Sequence, residues 1–452
     1  MRTSQTRARP ARGSLVVLAL ALGGGAATTK ADDAALLAEI RKLADRIERL
    51  EQRNRGLERP VVPSETTEPR RSGSLEGIDV GGSLTGVVQQ VDRHGTATGE
   101  RESRASYRGD VTVTLPGGEM GGAEGRIFAH FRFGQGSGVS LRPTYTSTPN
   151  TTAFQTAASP DDAYAIVAQA WYRLTVPLPS RDLGAEVRER LEFTAGKIDP
   201  FLFFDQNAAA DDETVRFMNN AFVHNPLLDS GGDVGADTYG FAPGLRIAYV
   251  SERNKPDTWG ASLGVFGSGP GADFTDSPAD PFVIAQLEAT HRFAEGQPGT
   301  YRVYAWRNGR ASDFGGTVER HSGWGVSADQ RIGDALTLFT RFGGEFRGRV
   351  RFDRALTLGA EIGGDYWGRA TDALGLAAGL LRTSGAYRDA TADGTLAGYA
   401  ASGTERIAEI YYRWRLNDRF DLTPDVQWIR RPGGDASASD VFVGALRARV
   451  GF

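Results

Sequence analysis

Residues 199 to 238 concentrate side chains suited to handling a polar solute. Asp199, Asp205, Asp211, Asp212 and Glu213 supply carboxylates, Asn207 and Asn219 supply amides, and Arg216 supplies a guanidinium. Phe203 and Phe204 are set among them, and rings in so polar a segment would stay in water unless the segment folds against a wall. A second set recurs at alternate positions elsewhere: Arg173, Arg246, Arg331, Arg341, Arg413 and Arg415, with Trp171, Trp306 and Tyr411. Arginine forks bind oxygen-rich groups, and aromatic faces stack on the apolar faces of sugar rings. Carboxylates on an inward segment facing a wall of arginines would give a transverse field that orients polar solutes and screens ions.

The same inventory argues against catalysis. The five histidines lie far apart, cysteine is absent, and no spacing supports a Ser-His-Asp triad, a metal cluster or a phosphate loop. An enzyme, a cofactor and a resident metal are therefore not expected. The net charge is slightly negative and does not point to nucleic acid.

These side chains need elements to place them. Arg2, Arg7, Arg9 and Arg12, the apolar run Leu15 to Leu22 and the small residues up to Ala31 read as a secretory signal peptide over residues 1–31. Without it the chain keeps 47 basic residues against 56 acidic ones. Residues 32–58 read as a coiled-coil helix. Asp33, Ile40, Ile47 and Asn54 occupy one core position of the heptad, and Leu36, Leu43, Leu50 and Leu57 the other. Residues 59–78, with Pro60, Pro63 and Pro69, read as a polar linker.

From about residue 79 the period is two. Phe442, Leu446, Ala448, Val450 and Phe452 share one face, and Arg447 and Arg449 the other. Sixteen strands are predicted, near 79–91, 105–115, 122–134, 163–176, 188–198, 239–250, 257–267, 281–293, 300–308, 322–332, 335–346, 351–363, 371–382, 404–416, 419–429 and 440–452. Links after odd strands are mostly long, as in 199–238 and 309–321, and links after even strands are mostly short, as at 333–334 and 417–418. An even number of strands with this asymmetry predicts an all-β, transmembrane antiparallel barrel over 79–452, with an inward loop at about 199–238. Trp414, Trp428, Tyr239, Trp259, Trp324 and Phe452 are expected at its interfacial girdles. So many arginines cannot face lipid and must line an aqueous lumen.

The chain also resembles the carbohydrate-selective porins of the OprB type. The resemblance rests on Gly196-Lys197-Ile198-Asp199, Phe203-Phe204-Asp205-Gln206-Asn207, Asp211-Asp212-Glu213 and Phe217 to Phe222. It continues in Ala328 to Arg331, Leu338 to Gly343, Tyr412-Arg413, Leu422 to Ile429 and Pro432-Gly433. It implies a sixteen-stranded barrel in the bacterial outer membrane that passes monosaccharides by facilitated diffusion, with the motif after Gly196 at the constriction. Expected partners are outer-membrane lipid, small sugars and other copies of the chain, in a coil-assisted oligomer such as a trimer. The coil would lie on the periplasmic side with a possible cell-wall contact. Two other readings stand beside the sugar porin: an anion- or phosphate-preferring pore, and a barrel-anchored cell-wall tether.

Overall fold

The computed structural model describes residues 77–96, 98–142, 148–154, 162–179, 188–228, 239–269, 272, 274, 279–293 and 296–452. The signal peptide, the heptad segment and all but the last two residues of the linker lie outside this set. Among the described residues the first eight strands are β1 (Asp79–Val91), β2 (Glu102–Met120), β3 (Ala123–Gln135), β4 (Tyr164–Pro177), β5 (Glu189–Ile198), β6 (Ala242–Ser251), β7 (Thr258–Phe266) and β8 (Phe282–Phe293). The remaining eight are β9 (Gln297–Ser312), β10 (Val318–Ile332), β11 (Leu336–Arg347), β12 (Phe352–Gly363), β13 (Ala373–Thr383), β14 (Thr404–Arg415), β15 (Phe420–Arg430) and β16 (Val441–Gly451). Each pairs antiparallel with its sequence neighbours, and β1 pairs with β16 to close the sheet.

Closure follows from the alternation. A strand with one apolar and one polar face needs two different surroundings, and a sheet closed on itself supplies both while leaving no unpaired edge. Large apolar side chains are accordingly exposed on the outside, including Val88 at 57%, Leu245 at 60% and Leu287 at 58%. Charged ones are enclosed, with Arg246 at 2%, Arg341 at 1% and Arg447 at 1%. This is the pattern of a soluble protein turned inside out.

Local chemistry sets the hairpins. Between β14 and β15 the Asn417 side chain accepts from the backbone N–H groups of Arg419 and Phe420, at 3.0 and 3.1 Å. Between β10 and β11 the register closes on Ile332 opposite Leu336, and Gly333 takes the left-handed conformation the turn demands. Glycine also lets wall rings lie flat. A Cβ at Gly375 would sit 2.0 Å from the ring of Tyr411, its cross-strand neighbour, and one at Gly325 would sit 2.4 Å from Tyr304. Part of the 58-residue glycine content is thus space for rings.

Some boundaries differ from the sequence expectation. The link expected at 309–321 shrinks to 313–317, because β9 and β10 continue pairing through Ala311 and Glu319. Tyr239 is not a girdle residue, since it stacks on Phe154 at 5.1 Å between two loops. Trp414 and Trp259 do lie on the outside, at 42% and 49% exposure.

Leu287 lies mid-strand on the outer face. Leu287→Arg is expected to cost about 2–4 kcal/mol of folding free energy in lipid. Urea titration of the barrel in phospholipid vesicles measures it, and a cost near zero would place this face outside the hydrocarbon.

Candidate functional site

The chain leaving β5 turns inward at once. Asp199 caps a single 3-10 turn at Pro200–Leu202 by accepting from the N–H of Phe201 at 2.9 Å. Phe203 and Phe204 then face the wall with 1% and 0% exposure. The Phe203 ring lies beneath two guanidinium groups, Arg246 at 4.6 Å and Arg173 at 5.2 Å, and meets Trp171 edge-on at 6.0 Å. Arg246 is also tied to Glu192 at 3.0 Å.

Asp205 anchors the next stretch. It accepts from the Tyr304 hydroxyl at 2.7 Å, from Nε of Arg341 at 3.1 Å and from the N–H of Asn225 at 2.5 Å. Arg341 also donates to the carbonyls of Asp205 and Phe222 at 3.0 and 2.8 Å. Both charged side chains are fully enclosed, so each depends on the other for compensation.

The segment then crosses to the far wall. Asn207 donates to Ser327 on β10, and the N–H of Ala208 donates to Asp329. The N–H groups of Met218 and Asn219 donate to Glu409 on β14 at 2.5 and 3.0 Å. The Asn219 amide reaches Gln427 on β15 at 3.0 Å. Arg447 on β16 donates to the carbonyls of Glu213 and Arg216 at 2.8 and 2.7 Å. Phe217 packs between Tyr411 at 4.9 Å and Phe339 at 5.5 Å. A segment that starts on β5, bonds Gln286 on β8 and Glu361 on β12, sets Phe222 beside Gly379 on β13 and reaches β16 narrows the lumen.

Two further chains of ion pairs run beside the loop. Arg132 meets Asp110 at 2.8 Å, Asp110 meets Arg108 at 2.8 Å, and Arg108 meets Glu213 at 2.7 Å. On the other side Asp211 meets Arg216 at 3.2 Å, Arg216 meets Glu361 at 3.4 Å, and Glu361 meets Arg413 at 3.8 Å. Burial alone would lower the Arg216 guanidinium, but Glu361 and Asp211 outweigh it and push it up, so the residue stays charged. The expected separation of loop carboxylates from wall arginines is not what the structure has. The two signs interleave at contact distance, which makes the field short-ranged.

The sequence-derived residues divide by place. Asp205, Asn207, Phe203, Phe204, Asn219, Arg173, Arg246, Arg341, Trp171 and Tyr411 are buried and hold the loop to the wall, and Trp306 is buried beside Tyr304 at 6.1 Å. Asp211, Glu213 and Arg413 are partly open, Arg216 is buried, and Asp212 fixes the turn by accepting from Thr214 at 3.0 Å. Arg331 and Arg415 sit near short turns, bonded to the carbonyl of Asp334 and to Asp421, away from the loop. The wall aromatics were expected to meet sugar; instead most are covered by the loop's own rings, and Phe128 stays partly open where it stacks on Trp171 at 4.7 Å. A second inward segment escaped the sequence reading. In 148–154, Pro149 accepts from Gln427 at 2.8 Å, and Asn150 donates to Ser106 at 3.2 Å. The inward glutamines were the available signal, since an amide facing a lumen at matched positions needs a partner.

A closed sixteen-stranded barrel narrowed by an inward loop defines a porin-type channel. The sequence profile described as "Carbohydrate-selective porin, OprB family" matches residues 127–452, and the chain belongs to that family. The high-pH structure of Pseudomonas putida OprB has a TM-score of 0.65 at 19% identity, covering 83% of this chain and 94% of that one. The low-pH structure of the same protein gives 0.46 at 15% identity, covering 83% and 93%. A mutant of the Rh. blastica porin gives 0.46 at 12%, covering 83% and 100%. No curated protein matches.

Two variants test the loop. Deleting 205–220 is expected to raise single-channel conductance in planar bilayers, and an unchanged value would remove the loop from the conduction path. Arg341→Met strands the Asp205 carboxylate and is expected to cost about 3–5 kcal/mol at the anchor. Limited proteolysis should then cut within 205–222 in a barrel whose strands stay resistant.

Proposed function

We propose that the protein mediates passive or facilitated diffusion of monosaccharides and other small hydrophilic solutes across the outer membrane. The observation that carries this reading is the pair of interleaved chains, Arg132–Asp110–Arg108–Glu213 and Asp211–Arg216–Glu361–Arg413, beside the inward loop. Paired charges offer neighbouring donors and acceptors to hydroxyl groups while presenting little net charge to an ion. Family membership supports the same reading.

The arginine wall motivates an anion-preferring pore as the rival. Its pairing weighs against that rival. Arg246 is bonded to Glu192, Arg302 to Glu288 and Asp329, and Arg415 to Asp421. A wall neutralised at contact distance concentrates anions weakly.

Planar-bilayer recording separates the two. Monosaccharides should lower the open-channel current in a saturable manner, and the reversal potential in a tenfold salt gradient should stay well short of about 59 mV. Strong anion selectivity, blocked by phosphate and indifferent to sugars, would replace the sugar reading.

A further inference from the structure

On strands β12 to β15 the outer face carries a row of arginines at the end of the barrel that bears the long β13–β14 and β15–β16 loops, with Arg354 just after the short β11–β12 link. Arg354, Arg382, Arg406 and Arg430 are all exposed. They fall in the same alternation as the outward Leu358 at 49%, Leu380 at 45%, Ile410 at 44% and Val426 at 49%, so they point away from the lumen. The register sets Arg354 directly opposite Arg382, and Arg406 directly opposite Arg430. At about 4.8 Å between strands the row spans roughly 15 Å.

Like charges in direct cross-strand pairs oppose each other. The protein compensates the row only in part. Arg382 is gripped by Asp353 through two bonds of 2.9 and 2.7 Å. Arg430 stands 4.0 Å from Asp440, whose other oxygen accepts from the Trp428 indole at 3.0 Å. The Arg354 and Arg406 side chains have no ion-pair or hydrogen-bond partner among the described residues. On β9 and β10, by contrast, the outward Arg307 and Arg320 converge on the single carboxylate of Asp280 at 4.0 and 3.2 Å.

Arginine on a lipid-facing surface is costly at the bilayer midplane and nearly free at the interface. Longer loops mark the extracellular side of such barrels, so this row lies at the head-group level of the outer leaflet. Guanidinium forks match phosphate oxygens in pairs. We propose that Arg354, Arg382, Arg406 and Arg430 form a site for a phosphorylated, acyl-anchored lipid of the outer leaflet. Its phosphates bridge the arginines, and its chains run down over Leu356, Leu358 and Leu380. The site concerns the outer wall and stands whichever solute the pore conducts.

The test is native mass spectrometry of the full-length barrel folded in detergent, with bisphosphorylated lipid A as probe and its dephosphorylated form as control. Wild type should retain the phosphorylated lipid at least tenfold better than R354Q/R406Q and should not retain the dephosphorylated form. R354K/R406K keeps the charge without the fork and should retain an intermediate amount. Unchanged conductance certifies that each variant is folded. Equal retention by wild type and R354Q/R406Q, or retention indifferent to the phosphates, overturns the proposal. So does a loss of oligomer mass in R354Q/R406Q with lipid retention intact, which would make the row a contact between copies.

Discussion

Hydrocarbon offers a peptide group nothing to bond with. Every backbone N–H and C=O that crosses the membrane must therefore be paired within the protein, and a sheet achieves this only by closing. The pairing of β1 with β16, from Ser83 opposite Gly451 to Val91 opposite Val443, is where this chain meets that demand. Once the sheet closes, each alternating strand has its faces assigned. Val88, Leu245 and Leu287 go to lipid, and Arg246, Arg341 and Arg447 go inside. The interior is then lined by charge, and what fills it must answer that charge.

The inward loop does so with the same residues that hold it in place. Asp205 neutralises Arg341, Phe203 lies under Arg173 and Arg246, and backbone carbonyls at Glu213 and Arg216 accept from Arg447. Without the loop these arginines would face open water. With it they are enclosed and bonded, and the lumen is narrowed. The wall and the loop are one construction, so the residues that shape the passage cannot be separated from those that stabilise it. Glycine contributes on the wall side, where Gly375 and Gly325 leave room for Tyr411 and Tyr304 to lie flat and present their edges to the loop.

Much of the barrel can be read from period two alone. The first strand, 79–91, is found at its expected limits, and the Asn417 and Gly333 turns fall where their residue types place them. Alternation and turn chemistry are local properties, legible wherever one face meets lipid. The extra length of β9 and β10 is not legible in the sequence because Ala311 and Glu319 continue the ladder beyond the apolar belt, where composition no longer alternates.

The candidate site is legible in its residue types and much less in its arrangement. The acidic, phenylalanine-rich stretch after Asp199 could be recognised as an inward loop from the mismatch between its rings and its polarity. Which carboxylate meets which guanidinium could not be. The bond from Arg108 to Glu213 joins residues 105 positions apart, and the one from Arg341 to Asp205 joins residues 136 apart. No local rule relates such positions. The sequence by itself determined the strands, their inward and outward faces and the presence of an inward loop, because each depends on neighbours a few residues away. Only the tertiary structure decided that the lumen aromatics clamp the loop, that acid and base interleave, and that the arginines of β12 to β15 align across the outer wall, because strand register and closure bring those side chains together.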